Sequence, residues 1–246
     1  SLAIESGETL GLVGESGSGK TSFGRAILRA LEPTEGRVRY RIDGEEVDLL
    51  TLPPRELRRF RRHIQMVFQD PYASLNPRMT VRDIIAEPLV AGGLAHGHDL
   101  ERRVAEAAAR CKLDPEHLRR YPHAFSGGQR QRIGIARAIV SAPRFVVCDE
   151  SVSALDVSIR ADVLNLLLDL QRELGMTYLF IGHDLTVVAY VSQRVAVMYL
   201  GRIVEMASTR ALFAQPRHPY AAALIRAIPQ IAGRTRPAVL RGEGPD

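Results

Sequence analysis

The chain has 246 residues, 46% of them hydrophobic, and carries 33 Lys and Arg against 28 Asp and Glu for a formal net charge of +5. That length suits one large α/β domain with room for a helical subdomain and a tail, and no run approaches the roughly 18 apolar residues of a membrane span. The two cysteines, Cys111 and Cys148, lack metal-ligand spacing, which excludes a disulfide framework or a zinc site and makes a reducing cytosol the default compartment.

The first predicted strand, at 9–13, lies only a few residues from Ser1, so further strands are expected upstream; residues 1–21 read as strand and loop rather than as a leader. Behind it comes Gly14-Glu15-Ser16-Gly17-Ser18-Gly19-Lys20-Thr21, and then a helical pattern over 22–31. Strand, glycine-rich turn and helix start in that order aim backbone N–H groups and the positive helix end at one small volume, which fits a polyphosphate. The glycines let the backbone curl around phosphates, Lys20 reaches the β and γ groups, and the Thr21 hydroxyl is placed to ligate Mg²⁺. Only two of the basic residues are lysines, Lys20 and Lys112. At position 20 a compact ammonium fits where a planar guanidinium would crowd the loop.

Residues 37–42 alternate as a strand, Asp43-Gly44 marks a turn, and a helix is expected over 54–62. The five arginines between Arg55 and Arg62 interleave Leu57 and Phe60 as a solvated amphipathic face would. With no aromatic platform beside them, they argue against nucleic acid as a partner. A strand at 63–68 closes on Gln69-Asp70-Pro71. Helical periods then follow at 80–90, 99–112 and 127–140, with turns at Gly92-Gly93 and Asp114-Pro115, which reads as a helical insertion. Strands at 144–149 and 177–182 flank a long helix at 157–174 stopped by Gly175, so the sheet is expected to be mostly parallel. Residues 194–199 and 202–206 form a hairpin around Leu200-Gly201; from Ala207 short helices lead into a Pro/Gly/Arg segment expected to fray after Gly233.

The strand at 145–148 runs into Asp149-Glu150. In an open parallel sheet ligands gather at the C-terminal strand ends, so these carboxylates belong beside the phosphate loop. Asp149 would hold Mg²⁺, directly or through water, and Glu150 would polarise a water for in-line attack on the γ phosphate. Ser126-Gly127-Gly128-Gln129 opens a helix with capping-box spacing, and its glycines leave N–H groups open to an anion. Gln69 and His183 each follow a strand at the same sheet edge; taken singly, either residue is more often structural.

Together these stretches resemble the ATP-binding subunits of ABC transporters, in order and in spacing along essentially the whole chain. Residues 14–21 resemble the Walker A loop, Gln69 the Q-loop, Phe125 to Gln129 the signature, Phe145 to Glu150 the Walker B strand, Ser153-Ala154-Leu155-Asp156 the D-loop, and His183 the switch histidine. The stretch from Val67 to Pro77 and the tail motif His218-Pro219-Tyr220 are similar to the oligopeptide, dipeptide and nickel importer branch.

The resemblance implies a P-loop NTPase core built from 1–70 and 143–206, a helical signature subdomain at 71–142 and a C-terminal extension at 207–246, with N-terminal strands beyond Ser1. It implies ATP and Mg²⁺ as ligands, the metal held by Thr21, Gln69 and Asp149, and the nucleotide by residues 14–21 with Ser22. Two such subunits, identical or homologous, would sandwich two ATPs head to tail, so that Ser126, Gly127 and Gly128 complete the partner's γ-phosphate cage, with Gln129 and Asp156 as further nucleotide-binding residues. Glu150, His183 and Gln69 would carry the hydrolysis, His183 holding phosphate and water in line. The residues from Asp70 to Pro77 would face two transmembrane permeases at the cytoplasmic side of a bacterial inner membrane, served indirectly by a periplasmic binding protein. The family's adenine-stacking aromatic falls upstream of Ser1, Phe125 and Ser151 stand where Leu and Pro are usual, and the tail lacks the cysteines of an iron–sulfur centre. The rival readings are a soluble ABC-type ATPase acting on nucleic acid or the ribosome, which should bring zinc cysteines, a coiled coil or a second cassette, and a switch GTPase, which needs an Asn-Lys-x-Asp tetrapeptide. The sequence shows none of these.

Overall fold

The computed structural model describes residues 2–70 and 72–228, so the fraying expected after Gly233 lies outside the described residues. Its backbone is a six-stranded sheet in the order β4-β5-β6-β1-β7-β8. The strands are β1 (Thr9–Val13), β4 (Ile64–Val67), β5 (Phe145–Asp149), β6 (Thr177–Ile181), β7 (Arg194–Tyr199) and β8 (Arg202–Ser208); a separate hairpin pairs β2 (Arg39–Ile42) with β3 (Glu45–Asp48). β4 through β7 run parallel with β1 in their midst, and only β8 turns back antiparallel. Every residue of β1, β5 and β6 is buried, which is why these strands read as continuous apolar runs rather than as alternating ones.

Successive side chains leave a strand on opposite faces, and β5 divides accordingly. Val146 and Cys148 join the larger apolar cluster, whereas Phe145 and Val147 join the smaller one. The smaller cluster is roofed by α1 (Lys20–Ile27), α2 (Pro54–Phe60) and the β2–β3 hairpin. The larger holds α3 (Val81–Gly92), α4 (Gly97–Arg110), α5 (Gly127–Ile139), α6 (Val157–Leu174), α7 (Leu185–Val191), α8 (Thr209–Ala214) and α9 (Pro219–Arg226). α1 lies unusually close to the sheet. A Cβ on its Gly24 would fall 2.7 Å from Ile181 Cδ1 and 3.1 Å from Val147 Cγ1, so the glycine is what lets the phosphate-loop helix approach β5 and β6.

The expected elements recur to within about two residues at most ends, and three departures have a clear physical cause. α1 begins at Lys20 rather than Ser22 and stops at Ile27, because Arg29 turns left-handed (φ 49°) and spends its guanidinium on the carbonyls of Leu49 and Leu52. β3 escapes a reading by periodicity because three of its four residues are acidic; it exists through its pairing with β2 across the left-handed Asp43-Gly44 turn. α7 follows Asp184, whose carboxylate caps it by accepting from the N–H groups of Thr186 and Val187.

Candidate nucleotide site

The phosphate loop leaves β1 at the C-terminal edge of the sheet and enters α1 through Gly19, at φ 96°. Only glycine takes that left-handed turn without strain, and it points the first N–H groups of α1 at the loop's interior. Lys20 is 5% exposed; its Nζ donates to the carbonyls of Gly14 at 2.8 Å and Glu15 at 2.7 Å, with Ser18 Oγ at 3.4 Å. Burial lowers its pKa, opposed by the charges of Glu150, Asp149 and Glu15. Gly14 has no room for a side chain, since a Cβ there would lie 2.2 Å from the carbonyl oxygen of Met198. Ser16, Gly17 and Ser22 are exposed on the open side.

β5 delivers Asp149 directly beside this loop: Thr21 Oγ1 donates to Asp149 Oδ1 at 2.9 Å. Asp149 is 2% exposed, and burial raises its pKa against the opposing pull of the Thr21 hydrogen bond, Arg25 and Lys20. A hydroxyl and a buried carboxylate side by side form the short all-oxygen set that Mg²⁺ takes from a protein when phosphates and waters supply the rest. The residues therefore fit the metal that the sequence implies.

Glu150 follows at φ 43°, a conformation costly for a residue with a Cβ, and is held there by its N–H to Ile181 O and by Ser153, whose N–H and hydroxyl both donate to its carbonyl. Its Oε2 accepts from Gln69 Nε2 at 2.8 Å and lies 3.1 Å from His183 Nδ1. The three residues expected to carry hydrolysis, which reach this point from β4, β5 and β6, thus meet at one carboxylate oxygen. Because the Gln69 amide nitrogen serves Glu150, only its oxygen is left for a cation.

The signature residues stand apart from this cluster. Ser126 caps α5 in a complete capping box with Gln129, and among the described residues no hydrogen bond joins 126–129 to 14–22. Gly127 sits 3.8 Å from Leu155 and 3.9 Å from the Tyr72 hydroxyl, distances measured to a notional Cβ, and Asp156 is exposed at the start of α6. Gly128 has a purpose that the sequence does not reveal: its Cβ would strike Ile159 Cγ2 on α6 at 2.4 Å. Phe125, at the position where Leu is usual, is buried edge-on against His117. Two further loop contacts carry no local signal in the sequence: Gly201 N–H donates to Ser18 O at 3.0 Å and Glu15 N–H to Tyr220 Oη at 2.9 Å. The tail motif was visible as a motif, but nothing local marks a partner 205 positions away.

Residues 1–153 match the family model described as ABC transporter. The chain belongs to that family. Residues 204–246 match a second model, the C-terminal region of oligopeptide/dipeptide transporters. A putative peptide import ATP-binding protein of Brucella ovis is 53% identical over 247 residues, covering 100% of this chain and 77% of that protein. The glutathione import ATP-binding protein GsiA of Escherichia coli is 56% identical over 223 residues, 91% of this chain and 35% of GsiA. Among solved structures, a dimeric ATP-binding cassette in a post-hydrolysis state bound to ADP and Pi superposes with a TM-score of 0.73 at 31% identity, covering 85% of this chain and 88% of its own. As an ABC ATPase the chain binds and hydrolyses ATP, and it brings Thr21 of the glycine-rich loop beside Asp149, and His183 beside Glu150, at one sheet edge.

Proposed function

We propose that this ABC ATPase powers the import of peptides or related small solutes, with nickel carriers in the same branch, through separate membrane permeases. The observation that carries the hydrolytic part is the convergence of Gln69, Glu150 and His183 on one carboxylate oxygen beside the Lys20 loop. The solute class draws support from the C-terminal match and from the import proteins that resemble the chain. In this reading 1–70 and 143–206 form the nucleotide core, 71–142 the signature subdomain and 207–246 the extension. Two subunits pair head to tail, and Ser126, Gly127 and Gly128 complete the partner's γ-phosphate cage, with Gln129 and Asp156 as further nucleotide-binding residues. In this reading the subunit works peripherally, docked on permeases at the cytoplasmic face through the segment that follows Gln69; no helix among the described residues is long and apolar enough to cross a membrane.

Lys20 exchanges its two carbonyl partners for β- and γ-phosphate oxygens, and the N–H groups of 17–22 surround the rest of the chain of phosphates. Thr21 and Asp149, with the Gln69 oxygen, hold Mg²⁺, which when bound neutralises charge on the phosphate oxygens. Glu150 takes a proton from the water whose oxygen bonds to the γ phosphorus while the bond to the β–γ bridging oxygen breaks, and His183 keeps that water in line. Replacing Glu150 by Gln keeps shape and hydrogen bonding but removes the base. The variant should bind ATP with Mg²⁺, elute as a dimer on size exclusion and hydrolyse ATP at least about 100-fold more slowly. In a strain lacking the native gene, the parent but not this variant should restore uptake of a labelled dipeptide. Turnover at the parent rate by the Gln variant would remove Glu150 from its role; peptide uptake unaffected by loss of the gene would remove the solute assignment.

A further inference from the structure

The tail motif His218-Pro219-Tyr220 has no part in the chemistry above, yet it reaches the phosphate loop. Glu205 on β8 accepts from the N–H groups of Arg217, at 2.9 Å, and His218, at 2.8 Å, which pins the chain as it enters α9. His218 Nδ1 then accepts from Tyr220 N–H at 3.2 Å, capping the helix, and Pro219 occupies the first position, where a missing N–H costs nothing. The tyrosine so placed is 9% exposed, its ring centroid 4.4 Å from that of Tyr199 at the end of β7.

Packing accounts for the ring and leaves the hydroxyl unexplained, since phenylalanine would bury as well. What the hydroxyl does is accept the N–H of Glu15 at 2.9 Å. The same peptide unit offers its carbonyl, that of Gly14, to Lys20 Nζ at 2.8 Å. A peptide group is planar and stiff, so fixing its N–H fixes where its carbonyl points. One rigid unit is thereby held between Tyr220 at one end and the phosphate-binding lysine at the other. Burial raises the Tyr220 pKa, so the hydroxyl stays neutral at working pH.

We propose that Tyr220 is a positioning residue through which the C-terminal extension sets the geometry of the phosphate loop and with it the affinity for nucleotide. The inference rests on the reading of residues 14–22 as the nucleotide grip. Without the hydroxyl the Glu15 N–H loses its acceptor, the peptide gains freedom to rotate, and ATP must restore an order that the parent already has. Linkage makes the effect reciprocal, so bound ATP should hold α9 down as firmly as α9 holds the loop.

Titration of the full chain with ATP and Mg²⁺ tests this in the parent, Tyr220→Phe, His218→Ala and Lys20→Ala. Tyr220→Phe, which keeps the ring, should weaken ATP binding roughly three- to tenfold and raise KM in step, with kcat at saturating ATP within about twofold of the parent. His218→Ala, which uncaps α9, should act in the same direction. In the parent, saturating ATP should slow amide hydrogen exchange across α9, and Tyr220→Phe should lose that protection. Unchanged ATP affinity in Tyr220→Phe beside a clear defect in Lys20→Ala would overturn the proposal alone, as would exchange in α9 that ignores ATP. Parent-like ATP affinity in Lys20→Ala would instead overturn the phosphate-loop reading beneath it.

Discussion

Asp149 shows what a buried carboxylate at the proposed metal site costs in stability. Its carboxylate is buried and, among the described residues, has the Thr21 hydroxyl as its one hydrogen-bond partner, so its folded-state pKa is raised, mainly by desolvation. A raised carboxylate pKa means that the folded state favours the proton. Its contribution to stability is therefore fully present below the ordinary aspartate range and is lost as pH rises through the raised value. Above the raised value the ionised group costs stability, which a bound metal would recover. Asp149→Asn should accordingly raise the melting temperature of the nucleotide-free protein by a few degrees at pH 7 to 8, with the gain shrinking as pH falls through the raised value toward about 4. The same variant should lose the extra stabilisation that ATP gives with Mg²⁺ over ATP with EDTA. Thermal melts across pH check both parts; an Asn variant less stable than the parent at pH 8 would show that the carboxylate is compensated by its neighbours.

At the scale of elements, the signature helix α5 is set by what lies at its start. Ser126 and Gln129 satisfy the orphan N–H groups reciprocally, a feature legible from their three-residue spacing. The two glycines between them differ in a way that the spacing hides. At Gly127 a Cβ meets nothing closer than 3.8 Å, whereas at Gly128 it would overlap Ile159 Cγ2 on α6. Gly127→Ala should leave folding stability equal or slightly higher, as expected when a glycine leaves a helix. Gly128→Ala should cost about 1 to 3 kcal/mol, because a β-branched neighbour cannot swing aside. Adding Ile159→Ala to Gly128→Ala should make the pair strongly non-additive, recovering part of the loss. Urea denaturation of the four variants and the parent measures the coupling, and additive costs would mean that the two helices do not compete for this space.

For the molecule as a whole, the proposed site is only half built within one chain. The phosphate loop, Asp149, Glu150, Gln69 and His183 gather at the sheet edge, while the signature turn sits beside Tyr72 and Leu155 with no hydrogen bond to 14–22 among the described residues. In the proposed head-to-tail dimer the signature supplied in trans would complete the anion cage, and the related cassette with ADP and Pi is dimeric. Lys20→Ala and Ser126→Arg should each abolish ATPase activity alone. Mixed in equal amounts they pair at random, and half the dimers carry one intact composite site, so about a quarter of the parent activity should return if the sites fire independently. Steady-state ATPase assays of the mixture decide it; silence at saturating protein would require both sites to act together or a different pairing.

The sequence by itself determined whatever is local in physical origin. The phosphate loop is written in consecutive residues because its shape comes from glycine dihedrals and a helix start, and the buried strands announce themselves because a sheet covered on both faces needs unbroken apolar runs. The α5 cap and the Gly175 stop of α6 are local in the same sense. Family resemblance then carried the functional roles further than periodicity could. Only the tertiary structure decided which strands became neighbours, since parallel pairing joins segments far apart in sequence through crossovers that leave no local mark: β1 lies between β6 and β7. From that order follow the contacts of Thr21 with Asp149, of Gln69 and His183 with Glu150, and of Glu15 with Tyr220. It also decided β3, whose acidic residues carry no strand signal until β2 pairs with them, and the tight seat of Gly128, which depends on a helix that begins some thirty residues further on. Hydrogen bonds and close packing depend on distance in space, and across such separations the sequence does not encode distance residue by residue.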